Sequence, residues 1–374
     1  MARKSKRKCR CGMKKLHMKK TTLTTLITLA AIIVIYILMT VLTNTGNLSS
    51  VMTSMLPRIC VWIMMAVSLN LVVGILGELS LGHAGFMYVG AFTGCMFVKI
   101  AETAVPNEIL RFVIGMVIGA IFAAIFGLLI GSAVLRLQGD YLAIVTLAFG
   151  EIIKSVLSTM FIAFDKKGFH FSLTSSTELV DKGVAMDSII VKGPQGISGI
   201  PRVSSFTIGT ILVILTVLIV LNLADSRSGR AIKAVRDNKI AAETVGINIS
   251  KYRLLAFTIA AAIAGVAGVL YAGSMGNLQS TKFDFNTSIN VLVMVVLGGM
   301  GNIPGSVIAA IILTILPEKI RFLGDYRMII YAVVLIVMMI FSWNPKCIEL
   351  RNRVSIKVKG VVAKIFKKNK KEVS

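Results

Sequence analysis

The chain has 374 residues, 56% hydrophobic and 16% charged, with a mean hydropathy of +0.83. Soluble domains carry about 25% charge, and here the apolar residues run in stretches of ~20, the length that crosses ~30 Å of hydrocarbon as a helix; a soluble globule and an alternating-strand β-barrel are both excluded. The net charge of +24 does not mark a nucleic-acid binder, because 18 of those charges sit in two tails, Met1–Lys20 and Lys346–Ser374, each beside an apolar run and without an aromatic–basic fold.

In chain order, residues 1–20 form a basic tail expected on the cytoplasmic side and drawn to anionic lipid. Ten spans follow: Thr21–Leu42, Ile59–Leu76, Leu79–Ile100, Arg111–Leu135, Tyr141–Phe164, Ser205–Ala224, Leu254–Met275, Thr287–Gly299, Pro304–Leu323 and Arg327–Trp343. The first is too long for the apolar region of a signal peptide and no A-x-A site follows it, so it reads as a retained span. Pro304 suits a helix start, where its missing N–H is not needed. The fold class is therefore all-α, a polytopic integral membrane protein with about ten transmembrane helices. Its transmembrane body would cover residues 21–343, and a second basic tail residues 344–374.

Two connections stand out. Residues 164–204 form a long loop on the outer side, with "KGPQGISGIP" reading as turns, and a loop of that length suits a docking surface. Residues 225–253 carry seven Lys/Arg against three acids, which places them in the cytoplasm. Six crossings separate them from the N-terminal tail and four more lead to the C-terminal tail, so both termini fall on the cytoplasmic side. Within that segment, Gly229–Lys251 spaces Ala and Ile at helical intervals until Gly246 can end the helix. A short helix of this kind either enters a groove on another protein or lies on lipid.

The stretch "SLNLVVGILGELSLGHAGFMYVGAF" (Ser68–Phe92) places glycines, Glu78 and His83 inside an apolar run. A shift of 220 positions aligns Ser68, Asn70, Val73 and Gly85 with Ser288, Asn290, Val293 and Gly305, a weak parallel repeat. The second copy contains "LGGMGNIPG", with Gly298, Gly299 and Gly301. Broken helices at corresponding positions of two halves mark a transport path, where a cavity or protein satisfies the freed backbone. Asn70, Gly77, Gly82, His83, Gly85, Gly298, Gly299 and Gly301 are therefore the candidate translocation path. His83 is expected to bond a freed carbonyl, with a proton relay as the alternative; Asn70 and Asn290 are expected to bridge helices. Glu151 lies within the fifth span, three residues from Lys154, and the two can form an intramembrane ion pair. Gly90/Gly94, Gly115/Gly119 and Gly127/Gly131 have the spacing of close helix packing.

There is no phosphate-binding glycine loop, no zinc-protease motif and no chain of intramembrane carboxylates. The five cysteines have no zinc-finger spacing, so no metal is expected. Uphill transport would draw its energy from a partner.

Four blocks, Ser68–Phe92, Leu135–Ile153, Gly229–Ala272 and Val295–Ala310, together resemble the LivM-type permeases of branched-chain amino acid ABC importers. The resemblance implies a non-enzymatic transport subunit in the plasma (inner) cell membrane. Its partners would be a LivH-type sister permease, two ABC ATPase subunits that bind ATP and Mg, and an extracytoplasmic amino acid-binding protein. It also implies that Arg236, Asp237, Ala241, Ala242, Glu243 and Gly246 belong to the segment that docks on an ATPase, with Ala241 and Ala242 packed in its groove and Glu243 more exposed. Within transport, a permease for urea, another amide or a simple sugar is the rival; an ion channel or membrane enzyme lacks its charged ring or catalytic cluster here.

Overall fold

Apolar helices dominate a computed structural model of the chain, which describes residues 28–319 apart from 47–48, 103, 136, 138, 166–167 and 174–188, with a few isolated positions beyond. Both basic tails, the tenth predicted span and the middle of the long loop lie outside the described residues. Among the described residues, five helices are long and apolar enough to cross a membrane, and Thr28–Asn44 is a shorter apolar one.

The helices are α1 (Thr28–Asn44), α2 (Ser50–Asn70), α3 (His83–Ile100), α4 (Glu108–Val134), α5 (Asp140–Ser158), α6 (Phe206–Asp225), α7 (Arg227–Asp237), α8 (Lys239–Thr244), α9 (Ile249–Met275), α10 (Phe285–Gly298) and α11 (Ile303–Lys319). Side-chain caps fix many of the starts: Ser49, Asn107, Ser205, Asn248 and Asp284 each accept a backbone N–H of the first turn. A π-helical stretch, Leu71–Leu76, prolongs α2 and stops at Gly77, whose φ of 81° is left-handed.

The helices pack as one compact unit as far as Ile312. Small residues set the distances, since a Cβ on Gly90 would land on Gly265, one on Gly119 would lie 2.6 Å from the Gly90 carbonyl, and one on Gly265 would lie 2.8 Å from the Gly119 carbonyl. Thus α3, α4 and α9 touch through backbone, the close approach that small-residue spacing permits. In the most apolar stretch of Ser50–Leu76 94% of residues are buried, against 22% along Tyr141–Ser158, so α5 lies at the edge of the unit.

Three spans differ from those expected from the sequence. The second span begins at Ser50, where Ser49 caps the helix, and carries Pro57 within it. The third is helical only from His83; Glu78 to Gly82 has no regular secondary structure. The fifth ends at Ser158, and the apolar run Phe161–Asp165 is a strand, β1, because a short apolar run fits strand or helix equally.

β1 pairs antiparallel with β2 (Gly168–Ser172) and β3 (Ile189–Lys192); β4 (Ile197–Ser198) and β5 (Asn277–Leu278) complete a sheet of order β2-β1-β3-β4-β5. The β3–β4 turn needs glycine at 196, where φ is 72° and a Cβ would strike the Leu278 carbonyl. The sheet joins the end of α5 to the end of α9. The start of α9 lies at the opposite end with α7 and α8, some ~40 Å away for a 27-residue helix.

Candidate functional site

The two glycine-rich breaks predicted from the sequence meet inside the unit. At the first, Asn70 sends its amide in two directions: Nδ2 donates to Ser306 Oγ at 2.7 Å, and Oδ1 accepts from the Gly301 N–H at 2.8 Å. Gly74 sits directly beneath, and a Cβ there would collide with Asn70 Oδ1 and the Gly301 backbone. Asn70 therefore bridges the end of α2 to both the second break and α11. Its repeat-related Asn290 does not; it is exposed on α10.

At the second break, α10 ends at Gly298, and Gly299 and Gly301 take left-handed φ values of 91° and 79°. A Cβ on Gly305 would strike the Gly298 carbonyl, so α10 and α11 meet at backbone distance. Asn302 closes the turn, donating from Nδ2 to the Gly298 carbonyl at 3.3 Å.

After the first break the chain returns to the unit as an irregular segment, Glu78 to Gly82. The Leu81 N–H donates to Thr146 Oγ1 at 3.2 Å, and a Cβ on Gly82 would fall on the Thr146 carbonyl. Gly85 lies against Gly150, its missing Cβ 2.8 Å from the Gly150 Cα. These glycines seat the start of α3 on α5. His83 is buried and its Nε2 bonds Ser68 Oγ at 2.7 Å, so its partner is a hydroxyl rather than the freed carbonyl expected. Ser68 in turn donates to the Met65 carbonyl, which gives His83 the donor role. Ser288, the repeat partner of Ser68, accepts the Ala84 N–H at 3.1 Å. Both repeat-related serines thus serve the start of α3.

The segment after α6 grips the first break. Arg236 lays its stem across Gly77, where a side chain would collide with it, and donates from Nη1 to the Gly74 carbonyl at 3.1 Å. Asp237 holds the same guanidinium at 2.9 Å. Glu78, buried, pairs with Arg253 at the start of α9 and lies 3.7 Å from Lys239 Nζ on α8. Arg253 also donates to the Leu137 carbonyl before α5.

The single helix expected here is two, parted at Asn238, which has extended backbone (φ −157°) and caps α8 through the Ala241 N–H. Gly246, at φ 83°, follows the end of α8 in left-handed conformation. Ala242 is buried within this chain, so it is not free to pack in a partner's groove; Ala241 and Glu243 are exposed. Beside them Ile240 and Val245 are 78% and 80% exposed.

Glu151 and Lys154 are 2.6 Å apart on α5. Next to them, Asp284 caps α10. Burial pushes its carboxyl up, but hydrogen bonds from the Thr287 backbone, Asn286 and the Thr287 hydroxyl, with the Lys154 charge, outweigh this and hold it below the usual carboxylate range.

Sequence reasoning did not select Glu78, Arg253, Lys239, Ser306 or Thr146. Glu78 carried a signal, an acid between glycines at a helix break. Its partners carried none, because they meet it only through the fold.

Among known proteins, the family described as branched-chain amino acid transport system / permease component matches residues 51–342. The chain is 30% identical over 338 residues, covering 81% of this chain and 71% of the relative, to the high-affinity branched-chain amino acid transport system permease protein LivM of Escherichia coli. Shorter matches link it to the LivH permease of the same system, 39% over 90 residues (24% and 29% of the two chains), and to the ribose import permease RbsC, 31% over 124 residues (31% and 38%), both of Escherichia coli. No solved structure matches. A helical unit built on paired broken helices, matched along most of its length, belongs to the branched-chain amino acid transport system permease family.

Proposed function

We propose that this chain is the membrane-spanning permease of an ATP-driven importer for branched-chain amino acids. It spans the plasma (inner) cell membrane with both termini, α7 and α8 on the cytoplasmic side, where seven Lys/Arg cluster. Its partners are a LivH-type sister permease, two ABC ATPase subunits carrying ATP and Mg, and an extracytoplasmic amino acid-binding protein, with anionic lipid at the basic tails. The chain itself catalyses no reaction.

The observation that carries this reading is the grip of α7, α8 and α9 on the first break. Arg236, Lys239 and Arg253 tie the segment to Gly74 and Glu78, and Asn70 passes that position to the second break. A push on α7–α8 by an ATPase therefore moves both breaks together. The exposed apolar side chains Ile240 and Val245 stand on a charged segment, and they supply the anchor that buried Ala242 does not.

The test is uptake of labelled leucine, isoleucine, valine, ribose and urea by the complex reconstituted in liposomes with ATP inside and binding protein outside. ATP-dependent uptake of the three amino acids is expected. Uptake of ribose alone would establish the sugar reading that the shorter match raises. Ile240→Asp should weaken ATPase co-purification at least tenfold while the permease still inserts; unaltered co-purification removes the docking role.

A further inference from the structure

One row of directly opposed residues crosses the whole sheet: Phe171, Ile162, Val191, Ile197 and Leu278. Opposed residues on paired strands share a face. Leu278, Ile197 and Val191 are fully buried and Ile162 nearly so, because β3 and β4 pack on α3 and β5 on α9. The last member of the row, Phe171 on the edge strand, is 43% exposed. Phe164, two residues along β1 from Ile162 and so on the same face, is also 43% exposed, and Leu173, just past β2, is 57% exposed. The apolar face that seats the sheet on the helices therefore runs on beyond them at the β1–β2 hairpin.

The depth of that overhang follows from α5. The helix starts beside α9, where Arg253 holds the Leu137 carbonyl, and its 19 residues rise about 28 Å to Ser158. That rise matches the ~30 Å of hydrocarbon. β1 begins three residues later, at headgroup level on the side away from α7 and α8. Of the five long apolar helices α5 has the fewest buried residues, and Ile152 and Val156 in its last two turns are exposed. The hairpin thus emerges at the rim of the helical unit.

We infer that the β1–β2 hairpin is an interfacial anchor, with Phe164, Phe171 and Leu173 set into lipid where headgroups meet acyl chains. Their face points the same way as the row packed on the helices, toward the bilayer, and it carries no charge. Apolar side chains on a surface element sink about 5–10 Å into that boundary. The backbone stays above it, because β2 has no strand partner on its outer side among the described residues and an open sheet edge needs water. A soluble partner arriving from outside would meet the other face, where Lys192, next to Val191 on β3, is exposed. The anchor fixes how far the end of α5 stands out of the bilayer and, through the sheet, ties it to the end of α9. It depends on the chain spanning a membrane and not on which solute is moved.

The experiment uses the full chain, purified with its partners and returned to lipid nanodiscs, with Cys9→Ser, Cys11→Ser and Cys347→Ser to clear the tails. Cys60 and Cys95 are buried, and the chain without a new cysteine supplies the background. Bimane is attached at Phe171→Cys and, as the reference on the opposite face, at Lys192→Cys. Phosphatidylcholine carrying a nitroxide at the headgroup end of one acyl chain should quench the label at 171 at least threefold more than that at 192. Aqueous iodide should show the reverse preference, again at least threefold. Phe164→Cys, which keeps the ring at 171 and so holds the hairpin down, should repeat the pattern of 171. Iodide quenching at 164 and 171 equal to that at 192 leaves the face in water and overturns the anchor; if added extracytoplasmic binding protein then abolishes it, the face is a protein-docking surface instead. Quenching by neither agent means that protein covers the two positions, which overturns the anchor as well.

Discussion

At the first helix break, Gly74 and Glu78 are held by Arg236, Lys239 and Arg253, from three separate helices. At the second, the turn from Gly298 to Ile303 closes on itself through Asn302, and its link to the rest of the unit runs through Asn70. The two breaks share glycines and serines at repeat-related positions, but their charges differ. A break bound by charged side chains moves with the helices that carry them; one closed by its own turn follows its neighbour. On the proposed import reading, the first break is the hinge that receives the force and the second follows it.

The largest effect is expected at Glu78. Glu78→Leu leaves Arg253 buried and unpaired, a loss of about 3–5 kcal/mol when one partner of a buried pair is removed. Thermal unfolding of the detergent-solubilised complex should shift down strongly, and ATP-dependent uptake should vanish. A variant with unchanged melting temperature and uptake shows that the first break is not held by charge.

Gly74→Ala comes next. The added methyl meets Asn70 and the Gly301 backbone, which cannot swing aside as a side chain can. The cost is about 3 kcal/mol, the upper part of the range for overpacking. Uptake should fall at least tenfold, with both breaks pushed apart. Normal uptake by Gly74→Ala means that the breaks need not touch, and the shared motion is lost.

How much of this was readable beforehand differs between helices and their contacts. The apolar runs located the spans because burial in lipid is a local demand on each side chain. Glycine clusters located the breaks for the same reason, since left-handed backbone at Gly77, Gly299 and Gly301 is a property of those residues. The strand at Phe161–Asp165 was hidden inside an apolar run. Ala241 and Ala242 looked alike in sequence, and only packing decides that Ala242 turns inward. The Glu78–Arg253 pair was out of reach, because nothing local to either residue names the other.

Arg236→Ala removes the bond to the Gly74 carbonyl and the stem over Gly77, a charged hydrogen bond of about 1.5–2 kcal/mol. This position tests transmission rather than stability. Substrate-stimulated ATP hydrolysis should continue with uptake reduced several-fold, so the ratio of ATP hydrolysed to leucine moved should rise. A ratio equal to that of the unaltered complex moves the coupling contact elsewhere.

The smallest effect is expected at the second break and gives the comparison its control. Asn302→Ala removes a neutral hydrogen bond of 3.3 Å to the Gly298 carbonyl. Such a bond contributes about 0.5–1.5 kcal/mol, and a long one falls at the lower end. The backbone bond from the Asn302 N–H to the Gly299 carbonyl remains, as does the bond from the Ser306 N–H to the Asn302 carbonyl. Gly299 and Gly301 keep their left-handed conformation whatever side chain stands at 302, so the turn should close without the amide. The melting temperature should drop slightly, uptake should stay within twofold, and the ratio of ATP hydrolysed to leucine moved should not change. The ratio is the decisive reading, because a break that only follows its neighbour can lose stability without losing coupling. If Asn302→Ala raises that ratio as far as Arg236→Ala does, the second break transmits force in its own right and the two hinges are equivalent.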